Sequence, residues 1–157
     1  MLRRLMKKKI PVTYVLLNAI AYVMKNVTKV FLGAYALLSN GNLVARCGTS
    51  LVAMTAKDFN VPVLVCCETY KFSERVRLDS ICDNELADPK QFLNNSGNEF
   101  LSDNWEKNEC LQFLNLIYDL TPIDFITLVI TEVGMIPPSS APVIIREYSK
   151  EDYSSFY

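Results

Sequence analysis

Apolar and polar positions fall in blocks along the chain, and the period changes from block to block. Leu2 and Leu5 share a helical face beside Arg3, Arg4 and Lys7–Lys9, so Met1–Lys9 is predicted as the tail of a helix that Pro11 stops. The cations there complement the negative end of a helix dipole. Val12–Leu16 is an apolar run of the strand type. Ala19, Tyr22, Val23 and Asn26 recur at helical spacing and predict a helix over Asn18–Asn26. Lys29–Ala34 is the next predicted strand, with Gly33 free to turn or to let the backbone approach another group. Ser39-Asn40-Gly41-Asn42 is a strong turn signal. Leu51, Val52, Met54 and Thr55 then give a helix from about Thr49 to Asp58, capped by Thr49 or Ser50. Val61–Cys67 is an unbroken apolar run, expected as a central strand buried on both faces.

Beyond Glu68 the pattern is lost. Glu68–Asn108 is polar, and residues 85–108 read as a long excursion with a disordered tip expected near Asn94–Asn98. Order resumes at Leu111. Leu114–Leu120 is expected as a short strand. Thr121 at the cap, Pro122 at the first position and Asp124 in the first turn predict a helix, with Phe125, Ile126, Val129 and Ile130 as its buried face. Gly134 sits where a left-handed helix stop belongs. Met135–Ser140 is a stiff connector, Pro142–Arg146 a last strand, and Glu147–Tyr157 a frayed tail. Alternating helices and strands predict an α/β fold with a parallel sheet flanked by helices, and 157 residues suit a single domain, 1–157.

Composition narrows the chemistry. Half of the residues are hydrophobic, enough for a sizeable core, and the net charge is −1, which disfavours direct nucleic-acid binding or a membrane-surface role. No apolar run is long enough to span a membrane. The five cysteines, Cys47, Cys66, Cys67, Cys82 and Cys110, form no Cys-x-x-Cys pair, as expected for reduced thiols in a cytoplasmic protein. Without histidine there is no Ser-His-Asp or Cys-His catalysis, and no metal site or cofactor is expected.

Two stretches carry candidate function. A strand, Gly33, and a helix opened by Gly48 and Thr49 would place free N–H groups beside a strand end, with Arg46 just ahead; such a turn can hold an anion. The same order also occurs as a plain α/β connection. The second stretch, Glu68–Arg77, leaves the C-terminal end of the predicted central strand with Glu68, Tyr70, Lys71, Phe72 and Arg75. Aromatic and cationic residues of this kind are favoured at interfaces, against the alternative of a loop packed on its own domain.

The segments Leu2–Leu5, Tyr14–Met24, Lys29–Gly41, Val61–Val76, Leu114–Pro122 and Val129–Pro138 together resemble the alpha/beta/delta subunit family of eukaryotic translation initiation factor 2B, and within it the C-terminal part of the delta branch. The run PVLVCCETYKFSERV is the most specific of them. The resemblance implies a Rossmann-like fold related to sugar-phosphate isomerases of the ribose-phosphate isomerase and CoA-transferase-like superfamily. It also implies that the chain is a C-terminal fragment, lacking a helical domain and the first part of the sheet. The implied role is non-catalytic and regulatory, in a complex with alpha, beta, gamma and epsilon subunits that exchanges guanine nucleotide on initiation factor 2. That core senses phosphorylation of the alpha subunit of initiation factor 2. The related isomerases carry an acid at Leu17 and a catalytic Asp at Tyr35, and an Asn at Ala45; they also use a Cys from an earlier part of the domain. Leucine transfers no proton, and tyrosine, with a pKa near ~10, is a poor base at neutral pH. A sugar-phosphate isomerase or a phosphate-binding Rossmann domain remains the alternative.

Overall fold

The computed structural model describes residues 2–78, 84–91 and 110–154. A short helix, α1 (Leu2–Lys7), leads into an irregular stretch, and α2 (Ile20–Met24) follows a single 3-10 turn. Strand β1 (Val30–Gly33) comes next. A hairpin of β2 (Ala36–Leu38) and β3 (Leu43–Arg46) turns at Gly41, whose φ of +80° suits glycine. Then come α3 (Thr49–Asp58), β4 (Val63–Cys66), the two-residue β5 (Phe72–Ser73), β6 (Tyr118–Thr121), β7 (Leu128–Thr131), β8 (Gly134–Ile136) and α4 (Ala141–Ser154).

The strands form two sheets. One has the order β1-β4-β7-β8, parallel except for the antiparallel β8; the other is β5-β2-β3-β6. Register explains the core. Leu32, Val65, Val129 and Ile136 lie side by side across the first sheet. They pack against Leu37, Leu43, Ala45 and Phe72 of the second, with Ala141 of α4 closing one end. On the same face of the first sheet, Val30 and Val63 meet Met24 of α2 and Ala53 and Ala56 of α3. This arrangement is a mixed α/β fold.

Several expectations are corrected, among them the Met135–Ser140 connector, which begins within β8, and the Glu147–Tyr157 tail, whose start continues α4 as far as Ser154. Val12–Leu16 is no strand: it has no regular secondary structure, no neighbour pairs with it among the described residues, and Tyr14 is 77% exposed. β4 is central but not buried on both faces; Val63 and Val65 are buried, whereas Leu64 is half-buried and Cys66 exposed. The predicted helix after Thr121 is instead the end of β6, one 3-10 turn (Ile123–Phe125) and β7, so Gly134 opens a hairpin rather than ending a helix. Pro142–Arg146 is the start of α4, where a missing N–H costs nothing. The expected tip near Asn94–Asn98 lies outside the described residues.

Candidate functional site

The first stretch builds one open cavity of about 400 Å³, lined by Gly33, Ala34, Tyr35, Ala45, Arg46, Thr49 and Tyr118. Its position follows from the topology. β1 ends at Gly33, the chain steps into the second sheet at Tyr35, and β3 returns to deliver Arg46 to the start of α3. Tyr35 donates its N–H to the Val44 carbonyl at 2.9 Å, which anchors the step. Its ring lies 4.6 Å from that of Tyr118, tilted by 40°. The Arg46 guanidinium sits 5.8 Å over the Tyr118 ring. Opposite, Gly48 adopts φ +100° ahead of α3, and a Cβ there would stand 2.6 Å from Leu17 Cδ2. Leu17 therefore lies against the start of the helix.

Two amides at the start of α3 are already occupied. Asp119 Oδ2 accepts the Gly48 N–H at 2.7 Å and the Ser50 N–H at 2.9 Å. An internal carboxylate thus holds the place that a phosphate would take. Burial pushes the Asp119 carboxyl above its ordinary value, and the amides of Ser50, Gly48 and Thr49 pull it back. Thr49 caps nothing ahead of it: its Oγ1 donates to the Arg46 carbonyl at 2.6 Å. The structure thus brings Gly33, Arg46 and Thr49 to one cavity, sets Gly48 beside it with its N–H engaged, and adds Asp119 and Tyr118. The sequence gives no local signal for those two. They reach the site because β6 pairs with β3, placing Asp119 opposite Ala45 and Tyr118 opposite Arg46.

The second stretch is a pinned loop. The Thr69 N–H donates to both Glu132 oxygens at 3.1 Å, and the Thr69 hydroxyl donates to the same carboxylate. That hydroxyl holds the Glu132 carboxyl below its ordinary value. Lys71 Nζ pairs with Glu68 at 2.8 Å and lies 5.6 Å from the Tyr70 ring centre. Farther along, Ser39 Oγ donates to the Glu74 carbonyl at 3.1 Å, and the Asn40 and Asn42 amides donate to the Arg77 carbonyl, each at 3.2 Å. Tyr70 is 79% exposed and Arg75 is exposed, but Phe72 lies half-buried in β5 against the inter-sheet core. Arg75 and Arg77 line a smaller cavity of about 120 Å³ that also touches Tyr35. Of the cysteine pair beside this loop, Cys67 is buried with its thiol pushed up to about 11, chiefly by burial, while Cys66 is exposed.

The model of the initiation factor 2 subunit family matches residues 1–138. Translation initiation factor eIF2B subunit delta of Dictyostelium discoideum is 56% identical over 155 residues, covering 96% of this chain and 25% of that protein. Ribose 1,5-bisphosphate isomerase of Pyrococcus furiosus is 37% identical over 138 residues, covering 88% of this chain and 41% of the enzyme. The crystal structure of translation initiation factor eIF-2B, subunit delta, from A. fulgidus superposes with a TM-score of 0.76 at 26% identity, over 91% of this chain and 41% of that one. The chain therefore spans well under half the length of each of these relatives.

Proposed function

The chain belongs to the initiation factor 2 subunit family, and from that premise we propose that it works as part of a delta-type regulatory subunit of initiation factor 2B. In this reading it assembles with alpha, beta, gamma and epsilon subunits in the cytoplasm and catalyses no reaction itself. The complex exchanges guanine nucleotide on initiation factor 2 and responds to phosphorylation of that factor's alpha subunit. The observation that carries the reading is Tyr35 at the cavity, its ring tilted against that of Tyr118, where the isomerases place a catalytic Asp. Leu17 beside Gly48 supports it, because an apolar side chain stands where a second acid would be. Leucine has no exchangeable proton, and a phenol is not the carboxylate base that the isomerases place there.

The alternative, a sugar-phosphate site, is favoured by the 37% identity to an isomerase and by the cavity's Arg46. One experiment separates them. The tagged full-length subunit is purified from its own cells, its companions are identified by mass spectrometry, and its turnover of ribose 1,5-bisphosphate is measured. Copurification of the other four subunits with no turnover is expected. Turnover that is lost on Gly48→Trp, or purification without those subunits, overturns the proposal.

A further inference from the structure

The segment that leaves β5 sends its side chains alternately to two places. Ser73, Arg75 and Arg77 line the cavity of about 120 Å³ that touches Tyr35, whereas Glu74, between them, lines a separate cavity with Arg146. The floor of the first of these is the outer surface of the β2–β3 hairpin. Leu37, Leu43 and Ala45 of that hairpin face the inter-sheet core, so Ala36, Leu38 and Val44 face the other way. Leu38 and Val44 are nevertheless buried. The backbone at both arginines is fixed. Ser39 Oγ donates to the Arg75 carbonyl at 3.4 Å, and the Asn40 and Asn42 amides donate to that of Arg77, each at 3.2 Å.

Two guanidinium groups are thus brought to one cavity over an apolar floor. Among the described residues neither forms an ion pair, and no Asp or Glu lines the cavity. Like charges set together against apolar surface repel and lose hydration, unless an anion lies between them. Ser73 adds a hydroxyl: its Oγ accepts the Arg75 N–H at 3.3 Å, and its own proton remains to be donated. Sites for drug-sized ligands occupy roughly 300–1,000 Å³, so a cavity of about 120 Å³ suits one small ionic group.

We infer that this cavity is an oxyanion site for a single phosphate group, gripped by Arg75 and Arg77, with the Ser73 hydroxyl as a further donor. Guanidinium forks match the paired oxygens of phosphate, and two of them serve one tetrahedral dianion. The site is separate from the cavity at Arg46. Tyr35 lines both, but Arg46 and Thr49 line only the larger one. A phosphate at the α3 amides would have to displace Asp119, whereas none of the described residues lining the smaller cavity is a carboxylate. Free phosphate and the phosphoryl end of a small metabolite share this chemistry.

The test titrates inorganic phosphate, and separately glycerol 3-phosphate, into the purified full-length subunit at low ionic strength, where charge contacts are least screened. Binding is read as broadening of the phosphorus NMR line. Millimolar or tighter binding is expected for at least one probe, and the tighter of the two assigns the source. Arg77→Gln is expected to weaken it at least fivefold. Arg75→Gln, at an exposed position, should do the same and serves if Arg77→Gln fails to fold. Arg46→Gln, which removes the cation of the larger cavity, should leave the affinity within twofold. No broadening by either probe overturns the inference. So does binding that Arg46→Gln abolishes and the other two variants leave intact, because the phosphate then sits in the larger cavity. Equal weakening by all three variants also overturns it, since the effect is then one of general surface charge.

Discussion

At the scale of single residues, Asp119 has the clearest job. It sits in a strand of the second sheet, yet its carboxylate closes the start of α3 through Gly48 and Ser50. Two amides that would otherwise lack partners are satisfied, and a negative group meets the positive end of the helix dipole. Asp119→Ala is expected to cost about 1 kcal/mol, typical of a lost helix cap, read as a lower urea midpoint at unchanged slope. A pH signature accompanies it. The folded carboxyl is raised above its ordinary 3.8 by burial, so just above that pH the folded state holds a proton that the unfolded chain has released. Stability then falls as pH rises through this window. Asp119→Ala should remove that part of the slope, and an unchanged profile would show that Asp119 is not its source. The same contact bears on ligands. Any phosphate directed to the α3 amides must displace this carboxylate, which leaves Arg46 as the cation open to an anion in the cavity.

At the scale of elements, β4 separates burial from centrality. Val65 is fully buried between the sheets, and its neighbour Leu64 faces the open side. Val65→Ala should cost about 2 kcal/mol, the usual sum of lost transfer energy and residual cavity, whereas Leu64→Ala in this 157-residue chain should cost under about 1 kcal/mol. Urea titration of the two variants checks the contrast; equal costs would mean that the face is not open. The unbroken apolar run of Val61–Cys67 marked a central strand correctly, but such a run says nothing about what covers each face. Other elements were misread for definable reasons. Phe125, Ile126, Val129 and Ile130 stand at helical spacing by coincidence, because a 3-10 turn joins them to a strand. Thr121 and Pro122 look like a helix start, yet that residue pair serves equally to leave β6. β2 and β3 have three and four residues, too short to show a period, and only the turn between them was legible. Val143, Ile144 and Ile145 favour strands locally, but packing of Ala141 against the core sets a helix there. The cavity residues Gly33, Arg46 and Thr49 were readable because they are close in sequence. Asp119 and Tyr118 were not, since they join through a pairing some seventy residues away.

At the scale of the whole molecule, the loop after β4 is tied to the domain at both ends. Glu132 ties its start, and Ser39, Asn40 and Asn42 tie its end. A pinned loop loses little conformational freedom on binding, which favours tight association for a given contact area. Within it the two aromatics divide. Tyr70 projects into solvent with Lys71 against its ring, whereas Phe72 is a strand residue paired with Leu37 and packed on the core. In an interface proposed over Glu68, Tyr70, Lys71, Phe72 and Arg75, the exposed anchors are Tyr70 and Arg75, with Lys71, paired to Glu68, against the Tyr70 ring and Phe72 holding the loop to the domain. Truncating a hot-spot aromatic or arginine typically costs about 2 kcal/mol of binding, roughly thirtyfold in affinity. Tyr70→Ala and Arg75→Ala should weaken assembly of the full-length subunit with its partners by that order and leave its thermal midpoint within about 2 °C, as expected of surface changes. Phe72→Ala should do the reverse, lowering the midpoint by several degrees because it removes half-buried core surface. Quantitative pull-down beside thermal unfolding distinguishes the outcomes. Wild-type recovery of partners by both Tyr70→Ala and Arg75→Ala would remove this loop from the interface, whatever Phe72→Ala does to the fold.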